Sequence, residues 1–284
     1  MVLSKELLEL AIRQTSQRTG FIPDLIEKDY YCSLILKAIF SNASHRLIFK
    51  GGTLLNKVHV GFYRLSEDLD FSVSIVEDTG RKAKSSMMKP IKTILDNLVK
   101  NTEGLSFRDP FQGHNSSSQY NACFEYESVS SGNKDTVLFD IGLREEILIS
   151  PEMLNAQTLV TDPITGNLLI EPFPVQCLSK TEAYAEKLRA ALTRTKPAIR
   201  DIFDLDFALR NQVIDLSDKQ LQDLAKIKLC KPEVLEINLS DSKKQILKSQ
   251  LEAQLRPVLR EEDYMQFDFE KAWSDLQRVA EKLT

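Results

Sequence analysis

With 284 residues, 42% hydrophobic and 27% charged, the chain has the size and composition of a globular protein that can bury one large core or two smaller ones. Its 37 Lys and Arg stand against 41 Asp and Glu, a net charge of −4, which excludes a globally basic nucleic-acid binder and leaves only a local patch for that role. No apolar run approaches the roughly 20 residues of a membrane span, and four scattered cysteines without a CxxC pair read as reduced, mostly buried thiols of a cytosolic protein.

The N-terminal MVLSKELLELAIRQTSQ carries acidic residues and reads as an amphipathic helix over 4–18, with Ser4 as its N-cap, rather than as a signal peptide. A second helix is expected over 23–40, with Pro23 in its first turn. Residues 46–50 form a short strand that Gly51-Gly52 breaks, and a short helix runs from Thr53 to about Val60. Residues 69–75 alternate as a strand, and 79–100 read as a helix. SFRDPF, QYNACFEYESV and DTVLFDIGLREE then read as strands, separated by the turn-rich GHNSSS and SSGNKD. Prolines with Asp-Pro and Thr-Gly turns make 151–174 the candidate domain junction. Ser179-Lys-Thr-Glu182 is a capping box opening a helix to about Arg194. Further helices are expected over 199–210, 217–228, 241–258 and 268–282. The pattern is an α/β N-terminal half followed by an all-α C-terminal half.

The segment from Phe49 to Phe71, FKGGTLLNKVHVGFYRLSEDLDF, concentrates the chemistry. Glycines between a strand and a helix expose backbone N–H groups and a positive helix end to an anion, and Thr53 can add a hydroxyl; the plainer reading is a simple turn. Lys50 and Lys57 flank that turn and could add charge. Asp68 and Asp70, two apart on a strand, face one side about 6.5–7 Å apart along the chain and could share Mg²⁺, or be two solvated acids. Asp140 interrupts the apolar Val137-Leu-Phe-Asp-Ile141. A buried charge needs a partner, so it is either a third metal-binding carboxylate and general base or half of a structural ion pair. Downstream, Lys180, Lys187 and Arg194 recur every seven residues on one helix face, and residues 180–200 hold six basic residues against two acidic ones. That face is either solvated or binds a triphosphate or RNA backbone. Arg200 and Asp204 are i,i+4 neighbours; Asp204 either pairs with Arg200 or orients Lys187. His45, His59 and His114 show no metal-ligand spacing.

KGGTLLNK, RLSEDLDF, AEKLRAALTR and RDIFDL, in that order, resemble the AbiEii/AbiGii-type toxins of the DNA-polymerase-β-type nucleotidyltransferase superfamily, whose relatives include the mycobacterial MenT-type toxins. Glu27-Lys28-Asp29 matches the family's EKD segment, and Tyr31 stands where family members often carry Trp. The resemblance spans about 24–210. It implies an α+β fold: a mixed-sheet nucleotidyltransferase core with flanking helices over 1–174, and an all-α lobe over 175–284. It implies Mg²⁺-dependent transfer of a nucleoside monophosphate from an NTP to the 3′ end of tRNA, which stops translation, and a separate antitoxin as partner. Among the residues, it implies that Gly51, Gly52, Thr53 and Ser66 bind phosphate, that Asp68 and Asp70 bind metal, and that Lys187, with Arg194, contacts the triphosphate. Asp204 would be that branch's second carboxylate, and Asp140 completes the core triad. The same carboxylates would equally serve transfer to a protein side chain or small molecule, and a degenerate member would be a non-catalytic nucleotide-binding module.

Overall fold

The structure is a computed structural model and describes residues 4–41, 46–73, 79–143, 146–231 and 234–283. His45, the last two positions of the strand expected over 69–75, and residues 144–145 of the third hairpin-region strand lie outside the described residues. The chain divides into two compact units, Met1–Leu178 and Ser179–Thr284.

The first unit opens with α1 (Lys5–Thr19), capped by Ser4, whose Oγ accepts from the Leu7 N–H at 3.3 Å. It buries Leu8, Ala11, Ile12 and Thr15, the one-face spacing of an amphipathic helix. α2 (Pro23–Phe40) starts on Pro23 and buries residues on more than one side, because it packs between α1, the sheet and the later α4 (Arg81–Asn101). Seven strands form one mixed sheet: β1 (Leu47–Lys50), β2 (Asp68–Val73), β3 (Leu105–His114), β4 (Gln119–Glu127), β5 (Lys134–Gly142), β6 (Glu152–Ala156) and β7 (Phe173–Cys177). Their order is β3-β4-β5-β2-β1-β7-β6, parallel at β2–β5 and β1–β7 and antiparallel elsewhere. Alternate positions of the central strands, Leu69, Phe71, Phe124, Phe139 and Ile141, fill the core, with Phe71 and Phe139 rings 4.8 Å apart. Tyr31 stacks on Tyr126 at 3.9 Å, so an aromatic is what that position of α2 requires.

The Glu27-Lys28-Asp29 segment ties α2 to three places. Glu27 accepts from the Ser128 hydroxyl and the Val129 and Ser130 N–H groups, holding the turn that ends β4. Lys28 bridges Asp135 at 2.9 Å and Glu67 at 3.5 Å. Asp29 pairs with Lys57 at 2.7 Å.

The junction expected at 151–174 carries β6 and the first two residues of β7, and these belong to the sheet. Pro174 is tolerated there because β1 pairs with β7 only at Cys177, so the missing N–H breaks no central ladder. Residue 174 lies inside β7, and the division by compactness falls after Leu178.

The second unit is helical: α5 (Lys180–Thr193), α6 (Ile199–Arg210), α7 (Lys219–Leu229), α8 (Asp241–Ser249), α9 (Glu261–Gln266) and α10 (Phe269–Leu283). Ser179, Asp218 and Ser240 cap α5, α7 and α8 with their side-chain oxygens. The single helix expected over 241–258 breaks after Ser249 into a π turn, Leu251–Leu255, and a 3₁₀ turn, Arg256–Val258. Gln250 explains the break: its side chain leaves to accept from the Ile199 N–H and donate to the Pro197 carbonyl. No helix among the described residues is long and apolar enough to cross a membrane.

Candidate active site

Strand register builds one polar row across the sheet of the first unit. Lys50 of β1 faces Asp70 of β2, Asp70 faces Asp140 of β5, Asp140 faces Asn121 of β4, and Asn121 faces Gln112 of β3. Residues in register share a face, and Asp68 joins them two positions before Asp70. The other face is the aromatic core. The result is a cleft of about 400 Å³ lined by Asp68, Asp70 and Asp140, with Gln112, His114 and Asn121 on its far side. β3 bulges twice, between Phe107 and Gln112, along this rim.

Asp140 is half-exposed rather than buried. The apolar run around it alternates: Val137, Phe139 and Ile141 are buried, while Leu138 shares the cleft face and is 47% exposed. Gln119 Nε2 donates to Asp140 Oδ2 at 2.9 Å and fixes its orientation. His114 and Asn121 hydrogen-bond to each other at 3.0 Å on the same rim.

The glycine turn lies directly against these acids. Helix α3 (Gly51–Leu54) continues as a π turn, Leu55–Val60, where an ordinary short helix was expected from Thr53. Gly51 has φ +80°, and a Cβ there would collide with the Asp70 carboxylate. A Cβ on Gly52 would stand 2.5 Å from Arg64 Nη2 and 3.1 Å from Ser66 Oγ, so Arg64 and Ser66 close round this glycine. Thr53 is buried, and its hydroxyl donates to the Asp68 carbonyl at 2.5 Å; it braces the start of β2. Lys57 does not supply charge to the turn. It is fully buried and bound to Asp29 and to Ser33 Oγ at 2.8 Å, because the π turn points it inward to α2.

In the second unit, Lys187 Nζ sits 2.6 Å from Asp201 and 2.9 Å from Asp204, and Arg194 reaches Asp201 at 3.0 Å. Arg189 pairs with Glu186 at 2.8 Å. The basic face expected on this helix is therefore largely neutralised by its own fold. The Asp204–Lys187 contact is present, and Asp201, unremarked in the sequence, is the shared partner of both cations. Lys228 is buried against Glu182 at 2.8 Å and Glu186 at 2.6 Å. Lys243 donates to the Ala191 and Leu192 carbonyls at the end of α5, and burial lowers its pKa to about 8.

Gln119, Asn121 and Arg64 are the site residues that sequence reasoning missed. Pairing the two strands around SSGNKD as a hairpin would have placed Gln119 and Asn121 beside Asp140. Arg64 carried no such signal. Among the described residues, no group of three or more His, Cys, Asp or Glu side chains could hold a metal ion by themselves. Two carboxylates completed by substrate phosphates are, however, the usual way Mg²⁺ is bound.

Comparison with known proteins bears on the fold and the family. The structure is similar to MenT4, a nucleotidyltransferase toxin from Mycobacterium tuberculosis, with TM-score 0.54, 17% identity and 99% of each chain covered. It is also similar to JHP933 from Helicobacter pylori, with TM-score 0.51, 17% identity, and 93% of this chain and 94% of that one covered. No curated protein matches the sequence. The family model described as nucleotidyl transferase AbiEii toxin, type IV toxin–antitoxin system, matches residues 34–279. With most of its length matched and the fold in agreement, the chain belongs to the AbiEii nucleotidyl transferase toxin family of type IV toxin–antitoxin systems.

Proposed function

We propose that this chain transfers a nucleoside monophosphate from an NTP to RNA, with the 3′ end of tRNA as acceptor, and so halts translation in the cytoplasm under the control of a cognate antitoxin. The observation that supports it is the placement of Asp68, Asp70 and Asp140 on one face of one cleft, with the Gly51 turn against Asp70. Their oxygen donors suit Mg²⁺, and Asp68 and Asp70 would hold it, with Asp140 beside them. A bound divalent cation would neutralise the triphosphate and stabilise charge on the leaving pyrophosphate.

The chain's own residues do the rest. Gly51 and Gly52 let backbone approach the phosphates, where any side chain would collide with Asp70 or Arg64, and Ser66 adds a hydroxyl. Asp140, held by Gln119 and open to the cleft, accepts the proton of the attacking RNA hydroxyl. The new O–P bond forms at the α-phosphorus as the bond to the β-phosphate oxygen breaks, and pyrophosphate leaves. In the second unit, Asp204 steadies the Lys187 ammonium.

Purified protein incubated with Mg²⁺, α-phosphate-labelled NTPs and total tRNA should label RNA. The Asp68→Ala/Asp70→Ala variant should keep its circular dichroism spectrum and label nothing. A folded double variant that still labelled tRNA would remove the metal-site assignment, and label appearing in protein instead of RNA would remove the acceptor.

A further inference from the structure

We propose that α4 is the surface on which the RNA acceptor's phosphate backbone rests; the inference builds on the RNA-directed reading above. In 21 residues α4 holds Arg81, Lys82, Lys84, Lys89, Lys92 and Lys100 against a single acid, Asp96, within a chain of net charge −4. At about 100° per residue, Arg81, Lys82, Lys89, Lys92 and Lys100 fall in one stripe about 100° wide along the helix. Met88, Ile91 and Leu95, on the neighbouring arc of the helix, are buried.

Two features separate this stripe from an ordinary solvated face. First, most of its charges are unmatched among the described residues. Lys92 pairs with Asp96 at 3.1 Å, but Arg81, Lys82, Lys84, Lys89 and Lys100 have no ion-pair partner among the described residues. Lys187, Arg189 and Arg194, by contrast, are matched by Asp201, Asp204 and Glu186. Second, α4 lies on the core face beneath the edge strand β3, whose other face lines the cleft. Only residues 102–104 connect α4 to β3, and α4 packs along β3 and against the turn Asn115–Ser117 beyond it. Because α4 ends beside the start of β3 and also touches the turn that follows that strand's last residue, it runs antiparallel to the strand. Its first turns, with Arg81, Lys82 and Lys89, therefore lie at the His114 end of β3. There His114 pairs with Gln119, the residue that holds Asp140.

The occupant is a polyanion far longer than one triphosphate. RNA fits better than an anionic membrane because the apolar side of α4 is already buried in the fold, leaving nothing to insert among lipids. Contact with the backbone alone would be independent of sequence and steeply salt-dependent.

The test measures binding of fluorescent tRNA to the full-length protein across a salt series, without NTP. Combining Arg81→Gln, Lys82→Gln, Lys89→Gln and Lys100→Gln should raise Kd at least about tenfold and lower the log–log salt slope by roughly 3. NTP binding should not change. Replacing the same four by the other basic residue should keep wild-type affinity. Neutralising Lys219 and Lys226, exposed in the second unit, should leave affinity unchanged. Unchanged affinity and slope in the four-Gln variant would overturn the assignment while label transfer to RNA by the wild type still stood. Equal loss from the Lys219 and Lys226 changes, or wild-type binding to phosphatidylserine vesicles in place of tRNA, would also overturn it. Wild-type protein that neither bound nor labelled tRNA would overturn the underlying reading instead.

Discussion

Gly51 and Asp70 are packed back to back: a Cβ on Gly51 would stand 3.0 Å from Asp70 Cβ and 3.1 Å from its Cγ, and would overlap the carboxylate itself. The residue after β1 must therefore be glycine for two reasons, since its φ of +80° also disfavours any side chain. Gly51→Ala should cost about 1–3 kcal/mol of stability from backbone strain. It should also displace the Asp70 carboxylate and slow nucleotide transfer about 10²-fold. Urea melts and label transfer on the same preparation check both, and an Ala variant with the wild-type rate would show that Asp70 need not hold this position.

Gln119 is a positioning residue for Asp140, through the 2.9 Å bond from its amide. With Asp140 as the base proposed above, Gln119→Ala should lower kcat about tenfold and leave KM for the NTP unchanged, because the lost bond orients that carboxylate and touches no phosphate. Gln119→Glu gives a sharper readout. A second carboxyl beside Asp140 raises the pair's apparent pKa, so the acid limb of the pH–rate profile should move upward. A profile that stays in place would assign proton acceptance to another group.

The helices were readable because their signals are local: Ser4, Pro23 and Ser179 mark starts, and one-face apolar spacing fills the spans between. β4 and β5 were readable as strands from turn residues between alternating runs, though not as a pair. What the sequence could not show was which partner each side chain meets across the fold. Lys57 looks like a turn cation in sequence and instead ends on Asp29, 28 positions upstream. Asp140 stood out as an acid in an apolar run, yet strand alternation, not burial, explains it. β6 and β7 were hidden because one is a mostly exposed edge strand and the other contains Pro174. Gln119 and Asp201 needed distances that only the folded chain supplies.

The Asp29–Lys57 pair is a place where that hidden partnership can be measured. Both side chains are buried, and Asp29 Oδ2 has no hydrogen-bond partner among the described residues, so Lys57 is the cation that makes this carboxylate tolerable. Lys57→Met should destabilise the first unit by about 3–5 kcal/mol, since it strands a buried charge. Adding Asp29→Asn should recover most of that loss, because the stranded charge is then gone. Denaturant titrations of both single variants and the double complete the cycle. Additive losses in the double variant would mean the two residues act independently.

Lys243 gives the second unit a pH dependence of definite sign. Its ammonium caps the Ala191 and Leu192 carbonyls inside the fold, and burial lowers its pKa to about 8 from 10.5, an effect Asp201 only partly opposes. Below about pH 8 both folded and unfolded chains carry the proton, and the folded chain bears the full desolvation cost. Between about pH 8 and 10.5 the unfolded chain still binds the proton and the folded chain has released it, so stability rises with pH across that window. The gain at this one site is of the order of 3 kcal/mol. Other lysines and the tyrosines titrate in the same range, so the measurement is the difference between wild type and Lys243→Met. Wild type should gain on the variant as pH rises from neutral towards 10. A difference that stays flat would mean that Lys243 keeps an ordinary pKa and that its carbonyl partners repay its burial in full.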